Sequence, residues 1–194
     1  LLMPSYGEES NRGFFLRDGG YYWAAGEIFD LSLTGDIYAN GSWGLRTSSN
    51  YRKRYKYSGS VNIQRITNIN SEKDLPDYSK SNDFALSWSH RQDAKANPNQ
   101  NFSASVNYST SSFDRNNVGS IINPEILAQN TKRSSISYSR RFPGTPFNTS
   151  LNMLHSQNSR DTTINLTVPD LTVTMSRIYP FKRKSRIGSK EAWY

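Results

Sequence analysis

Apolar side chains recur at every second position through most of this chain. Phe29, Leu31, Leu33 and Ile37 alternate with Asp30, Ser32, Thr34 and Asp36. Phe84, Leu86 and Trp88 alternate with Ala85, Ser87 and Ser89, and Phe102, Ala104, Val106 and Tyr108 with Ser103, Ser105, Asn107 and Ser109. Ile136 and Tyr138, Leu151 and Met153, Ile164, Leu166 and Val168, and Leu171, Val173 and Met175 repeat the same phase. Successive side chains of a strand point to opposite sides, so each run predicts a strand with one apolar and one polar face. The pattern predicts ten or eleven strands, near 12–25 (one or two), 28–38, 42–52, 54–67, 82–90, 100–111, 132–142, 146–156, 161–168 and 171–179. A helical signal is confined to Asn123–Gln129, where Pro124 stands near a start, and it predicts at most a turn of helix. Asn40-Gly41, Asn97-Pro98-Asn99, Pro143-Gly144-Thr145-Pro146 and Pro169-Asp170 predict tight breaks. From residue 54 onward long connections (68–81, 112–131, 157–160) alternate with short ones. That spacing predicts an antiparallel up-and-down meander with its long loops at one end.

Such strands have two stable settings. In a soluble sandwich the apolar face packs on a second sheet. In an outer-membrane barrel it meets lipid and the polar face lines the lumen. Composition separates the two. Only 35% of the 194 residues are hydrophobic, and 29 Ser, 19 Asn and 12 Thr fill the polar faces. Small neutral polar side chains suit a crowded wet lumen, whereas open sheet surfaces usually carry more Lys and Glu. Many runs reach the ~9–11 residues that a tilted strand needs to cross hydrocarbon. Aromatics gather near run ends, as interfacial girdles do: Tyr21, Tyr22, Trp23, Tyr38, Trp43, Tyr55, Tyr57, Trp88, Phe113, Phe142, Phe147, Tyr179 and Phe181. These features favour part of a transmembrane β-barrel.

Candidate chemistry is sparse. His90 and His155 are the two histidines, cysteine is absent, and no nucleophile-elbow motif occurs. The scattered carboxylates give no metal-ligand spacing, so neither catalytic residues nor a metal or cofactor are expected. A barrel hydrolase would need a Ser–His pair near His90 or His155, Ser87 being the nearest candidate. The net charge of +8 favours anionic partners. Arg52, Lys53, Arg54 and Lys56, and later Lys182, Arg183, Lys184 and Arg186, form basic clusters at run ends that would attract phosphate groups on lipid or saccharide. Lys132-Arg133 and Arg140-Arg141 add shorter basic steps. The aromatics follow the strand phase instead of interleaving with these clusters, so nucleic acid is not an expected partner.

Longer strings carry a resemblance. A proline-bearing start (Met3-Pro4-Ser5-Tyr6-Gly7) precedes GFFL (13–16), GYYW (20–23), FDLSLTGDIY (29–38), GSWGL (41–45) and a Tyr/Arg-rich strand. This order resembles the opening of the barrel in the LptD family of outer-membrane lipopolysaccharide-assembly proteins, also called organic-solvent-tolerance (OstA) proteins. The strings at 75–98, 102–116, 140–153 and 168–188 resemble its Bacteroidetes-type members. The resemblance implies that residues 1–194 are the first strands of a very large barrel, with the family's periplasmic jellyroll and later strands outside this chain. It implies an outer-membrane location, with lipopolysaccharide and outer-membrane lipid as partners. A periplasmic bridge protein acting through the jellyroll and a plug lipoprotein would be further partners. Its mechanism would admit acyl chains through a lateral opening between first and last strands and pass sugars through the lumen. Pro4, Gly7, Gly13, Gly19 and Gly20 are the candidate gate residues, because proline cannot donate to a ladder and glycine softens a strand. A general channel or receptor barrel is the alternative reading.

Overall fold

The computed structural model describes residues 1–71, 73–113, 131–158 and 163–178. Ten strands form one sheet: β1 (Ser5–Glu9), β2 (Gly13–Ala25), β3 (Phe29–Tyr38), β4 (Trp43–Lys53), β5 (Tyr57–Asn70), β6 (Ser79–Gln92), β7 (Gln100–Ser109), β8 (Thr131–Arg141), β9 (Phe147–Asn158) and β10 (Thr163–Met175). Each pairs antiparallel with its neighbours in chain order, so the sheet is the expected meander. β1 and β10 are its two margins. Among the described residues no helix is long and apolar enough to span a membrane, which says nothing of strands.

Pairing assigns every strand residue to a face. Opposed residues share a side, so the row Leu45, Arg65, Phe84 and the row Thr47, Ile63, Leu86, Tyr108 belong to one surface. That surface also holds Leu33, Ile37, Val61, Trp88, Val106, Ile136, Leu151 and Met153. Its large side chains are open: Ile37 is 65% exposed and Leu166 65%. The opposite surface holds Ser48, Asn62, Ser87 and Asn107 in one continuous row. Asp36 and Asp83 on that side are buried. Apolar side chains are therefore out and polar ones in, the inverse of a soluble domain. Among the described residues no second layer covers the apolar surface.

Two aromatic levels edge this outer surface. Phe14, Trp43, Phe84 and Tyr108 stand toward one end of the strands, and Trp23, Phe29, Tyr57, Phe102 and Phe147 toward the other. The second is the short-turn end, where 26–28, 54–56, 93–99 and 142–146 connect the strands. The long-loop end carries 71–78 and the stretch between β7 and β8. Tyr38 does not join a girdle. It points inward and is buried, because the cations of Arg12 and Arg17 lie 4.4 and 5.2 Å from its ring centre. Tyr22 also faces inward, opposite Ser32. Tyr179, Phe181 and the helix expected at Asn123–Gln129 lie outside the described residues.

Three boundaries differ from the sequence reading. β1 precedes the first expected strand; its Tyr6-Gly7-Glu8-Glu9 carries little apolar alternation. Pro169-Asp170 is not a turn: β10 runs through it, and the pairing slips between Thr167 and Asp170 instead. A bulge leaves residues unpaired on one strand, so it accommodates a proline that has no N–H to offer. The strand count is accordingly ten. The third difference is at 68–81, where β5 and β6 extend pairing to Asn70–Ser79 and shorten the connection.

Candidate functional site

The margin at β1 is thinly tied. β1 has five residues, against ten to fourteen in the other strands. Ser5 through Glu9 oppose Arg17 through Gly13, and one further bridge joins Leu2 to Gly20. Leu2 N donates to Gly20 O at 2.7 Å and Gly20 N to Leu2 O at 3.1 Å. Between these two patches stand Met3 and Pro4, and the ladder is interrupted. Pro4 packs on Gly19: a Cβ at Gly19 would lie 3.0 Å from Pro4 Cβ. The Phe15 ring likewise lies over Gly7, and a Cβ at Gly20 would overlap the Leu33 carbonyl. Gly13 has φ +71°, which its hairpin turn requires. The five residues singled out in the sequence thus gather on β1, its lead-in and β2.

Behind this margin the sheet is clasped. β2 is shifted against β3 between Leu16 and Gly19, so Arg17 and Asp18 oppose Asp36 alone. Asp18 takes a left-handed φ of 59°, tolerated by Asp better than by most side chains. Its N–H donates to Asp36 Oδ1 at 2.9 Å. Arg46 Nη2 from β4 donates to Asp36 Oδ1 at 2.8 Å and pairs with Asp18 as well. Glu9 at the end of β1 pairs with both Arg12 and Arg17. Arg17 Nε also donates to the Tyr38 hydroxyl at 2.8 Å. Arg12, Arg17 and Arg46 beside this margin therefore each have a carboxylate.

The inner face is concave. At the short-turn end it forms a trough of about 1560 Å³ floored by Ser89, Asn101, Ser103, Ser105, Ser135 and Ser139. Ser60 and Ser89 Oγ lie 2.9 Å apart, Ser103 and Ser137 Oγ 2.8 Å, and Ser87 Oγ donates to Asn107 Oδ1 at 3.0 Å. Arg52, Lys53 and Arg54 border the trough, with Arg91 and Arg141. The pleat splits the sequence cluster: Arg52 opposes Ser58 on the inner face, whereas Lys53 opposes Tyr57 on the outer one. Lys56 belongs to the adjoining turn. Lys182, Arg183, Lys184 and Arg186 lie outside the described residues. Arg141 belongs to one of the shorter basic steps of the sequence, whereas Arg91 was not among the residues expected at a site. Strand register places Arg91 two strands from Arg52, and Arg141 borders the same trough.

The histidines do no work of a nucleophilic kind. His90 lies on the outer face and Ser87 on the inner one, so they cannot pair. His90 Nδ1 is 2.9 Å from the Tyr51 hydroxyl, which also accepts from Trp88 Nε1 at 2.9 Å. Tyr51 reaches both by lying across Gly59, where a Cβ would overlap its hydroxyl. His155 Nδ1 is 3.5 Å from Ser134 Oγ, yet that hydroxyl already donates to Asn107 O and accepts from Asn107 N, each at 3.0 Å. Among the described residues no group of His, Asp and Glu could hold a metal. Tyr51→Phe should therefore cost about 1–3 kcal/mol for its hydrogen bonds with Trp88 and His90. Denaturant unfolding of the full-length protein in detergent checks this.

A one-layer sheet with a lipid-facing apolar surface, aromatic levels at both ends and a polar concave side is an arc of an outer-membrane β-barrel. A family model described as LptD protein matches residues 1–194, and the chain belongs to that family. No curated protein matches it. Family membership gives an outer-membrane protein, not an enzyme, that takes part in lipopolysaccharide assembly, with lipopolysaccharide as its substrate.

Proposed function

We propose that these strands are the opening arc of a lipopolysaccharide translocon, and that β1 is one lip of its lateral opening. A periplasmic bridge would deliver the substrate through a jellyroll, and a plug lipoprotein would share the lumen. Acyl chains leave sideways into the membrane past β1, while the sugar portion travels along the Ser- and Asn-lined concave side. The interrupted ladder at Met3-Pro4 carries this reading. An edge strand of five residues, bonded on one side and with its ladder broken at Pro4, parts from its neighbour more readily than the longer strands bonded on both sides. Pro4 seated on Gly19 and Phe15 over Gly7 give that lip side-chain contacts where backbone bonds are missing. Arg52, Lys53, Arg54 and Lys56 would meet anionic groups of lipid or saccharide at the short-turn rim.

The test is a reversible lock. A cysteine replacing Tyr6 in the full-length protein is paired with one at the facing position of the barrel's closing strand. Oxidation should stop lipopolysaccharide from reaching the cell surface, and reduction should restore it. Undiminished surface display with the bond formed would sink the reading.

A further inference from the structure

The inner-face arginines beside β1 differ from those at the short-turn end. Arg12, Arg17 and Arg46 are all ion-paired, with Glu9, Asp18 and Asp36. At the short-turn end Arg52, Arg91 and Arg141 are exposed and, among the described residues, form no ion pair. Two carboxylates lie near them. Asp30 is held by Asn50, whose backbone N donates at 2.7 Å, and Asp93 caps its own turn by accepting from Lys95 N at 2.9 Å. Neither neutralises the three guanidiniums.

Register brings the arginines over one floor. Arg52 opposes Ser58, Ser58 opposes Arg91, Arg91 opposes Ser103, and Ser103 opposes Ser137. Two strand spacings, about 10 Å, thus separate the Arg52 and Arg91 backbones, with only a serine between them. Arg141 stands further along the same concave side, opposite Asn148. Guanidinium forks bind phosphate and carboxylate oxygens in pairs. Hydroxyl and amide side chains beneath them match sugar hydroxyls, and no apolar patch is at hand in this row for an acyl chain. Lys53 and Arg140 fall on the outer face instead; the Arg140 cation lies 5.1 Å from the Phe142 ring centre, as a headgroup-level anchor would.

We propose that Arg52, Arg91 and Arg141, with the serine row between them, form a binding site for phosphorylated sugar at the short-turn mouth of the lumen. Short turns face the periplasm in bacterial barrels, so the site meets a saccharide as it enters. This deepens the translocon reading and rests on it for the direction of travel, though the site itself does not.

The test uses the full-length protein in detergent and two synthetic probes: a glucosamine disaccharide bisphosphate without acyl chains, and the same disaccharide without phosphates. Titration should show binding of the first, weakening with salt, and none of the second. The triple variant Arg52→Gln, Arg91→Gln, Arg141→Gln should bind the bisphosphate at least about tenfold more weakly. Arg65→Gln with Lys80→Gln, on the outer face and away from the trough, should bind it as the parent does, and heat-dependent mobility on gels should show all proteins folded. Equal binding by the triple variant, an equal loss in the outward-facing pair, or equally tight binding of inorganic phosphate would overturn the site. Loss of binding in the triple variant supports the site even if lipopolysaccharide display proves insensitive to the lock at Tyr6, an outcome that would remove only the translocon reading.

Discussion

Replacing Ile63 with arginine should cost the barrel about 2–4 kcal/mol, the penalty for a cation on a lipid-facing strand near mid-membrane. Ile63 lies midway along β5, between Thr47 and Leu86 on the outer surface. Its neighbour Asn62 faces the lumen between Ser48 and Ser87. Asn62→Arg should therefore be tolerated, because its charge stays in water. The two substitutions alter adjacent residues and add the same charge, so strand propensity cannot account for a difference between them. The amount of heat-modifiable, protease-resistant full-length barrel in outer membranes measures the effect. Equal loss in both variants would refute the assignment of faces.

Removing the clasp behind the first strand should be the next most damaging change. Arg46→Ala leaves Asp18 and Asp36 facing each other at the β2 bulge with no cation between them. Asp36 has a side chain only 9% exposed, so water replaces little of what is lost. The expected cost is about 1–3 kcal/mol, because the buried Asp36 carboxylate keeps the Asp18 N–H but loses its cation. Asp18→Asn should be milder, since its backbone N–H still reaches Asp36 and Arg46 keeps one partner. Denaturant midpoints of full-length variants in detergent compare them. An Arg46→Ala midpoint equal to the parent's would show that the bulge stands without its ion pairs.

The period-two pattern made most strands legible, because each apolar run has to face one way. It also separated lipid-facing from lumen-facing residues from β4 to β9, where no pairing slips. What escaped was local. Tyr6-Gly7-Glu8-Glu9 lacks the alternation that marks a strand, and only pairing with β2 makes it one. Pro169-Asp170 has the chemistry of a turn, yet a bulge satisfies the same constraint. Tyr38 sits in aromatic company along the sequence but turns inward to meet Arg12 and Arg17. Gly7, Gly13, Gly19 and Gly20 were visible as glycines; that Gly19 receives Pro4 was not. The basic run at 52–56 was plain, but the pleat divides it, and Arg91 gains meaning only from the register that carries it to Arg52.

Both slips in the pairing fall beside a margin, at Asp18 next to β1 and between Thr167 and Asp170 in β10. From β3 through β9 every pair of strands keeps a single register. A bend of the sheet would therefore concentrate at these two slips, in β2 and in β10, and leave the rows between them in step.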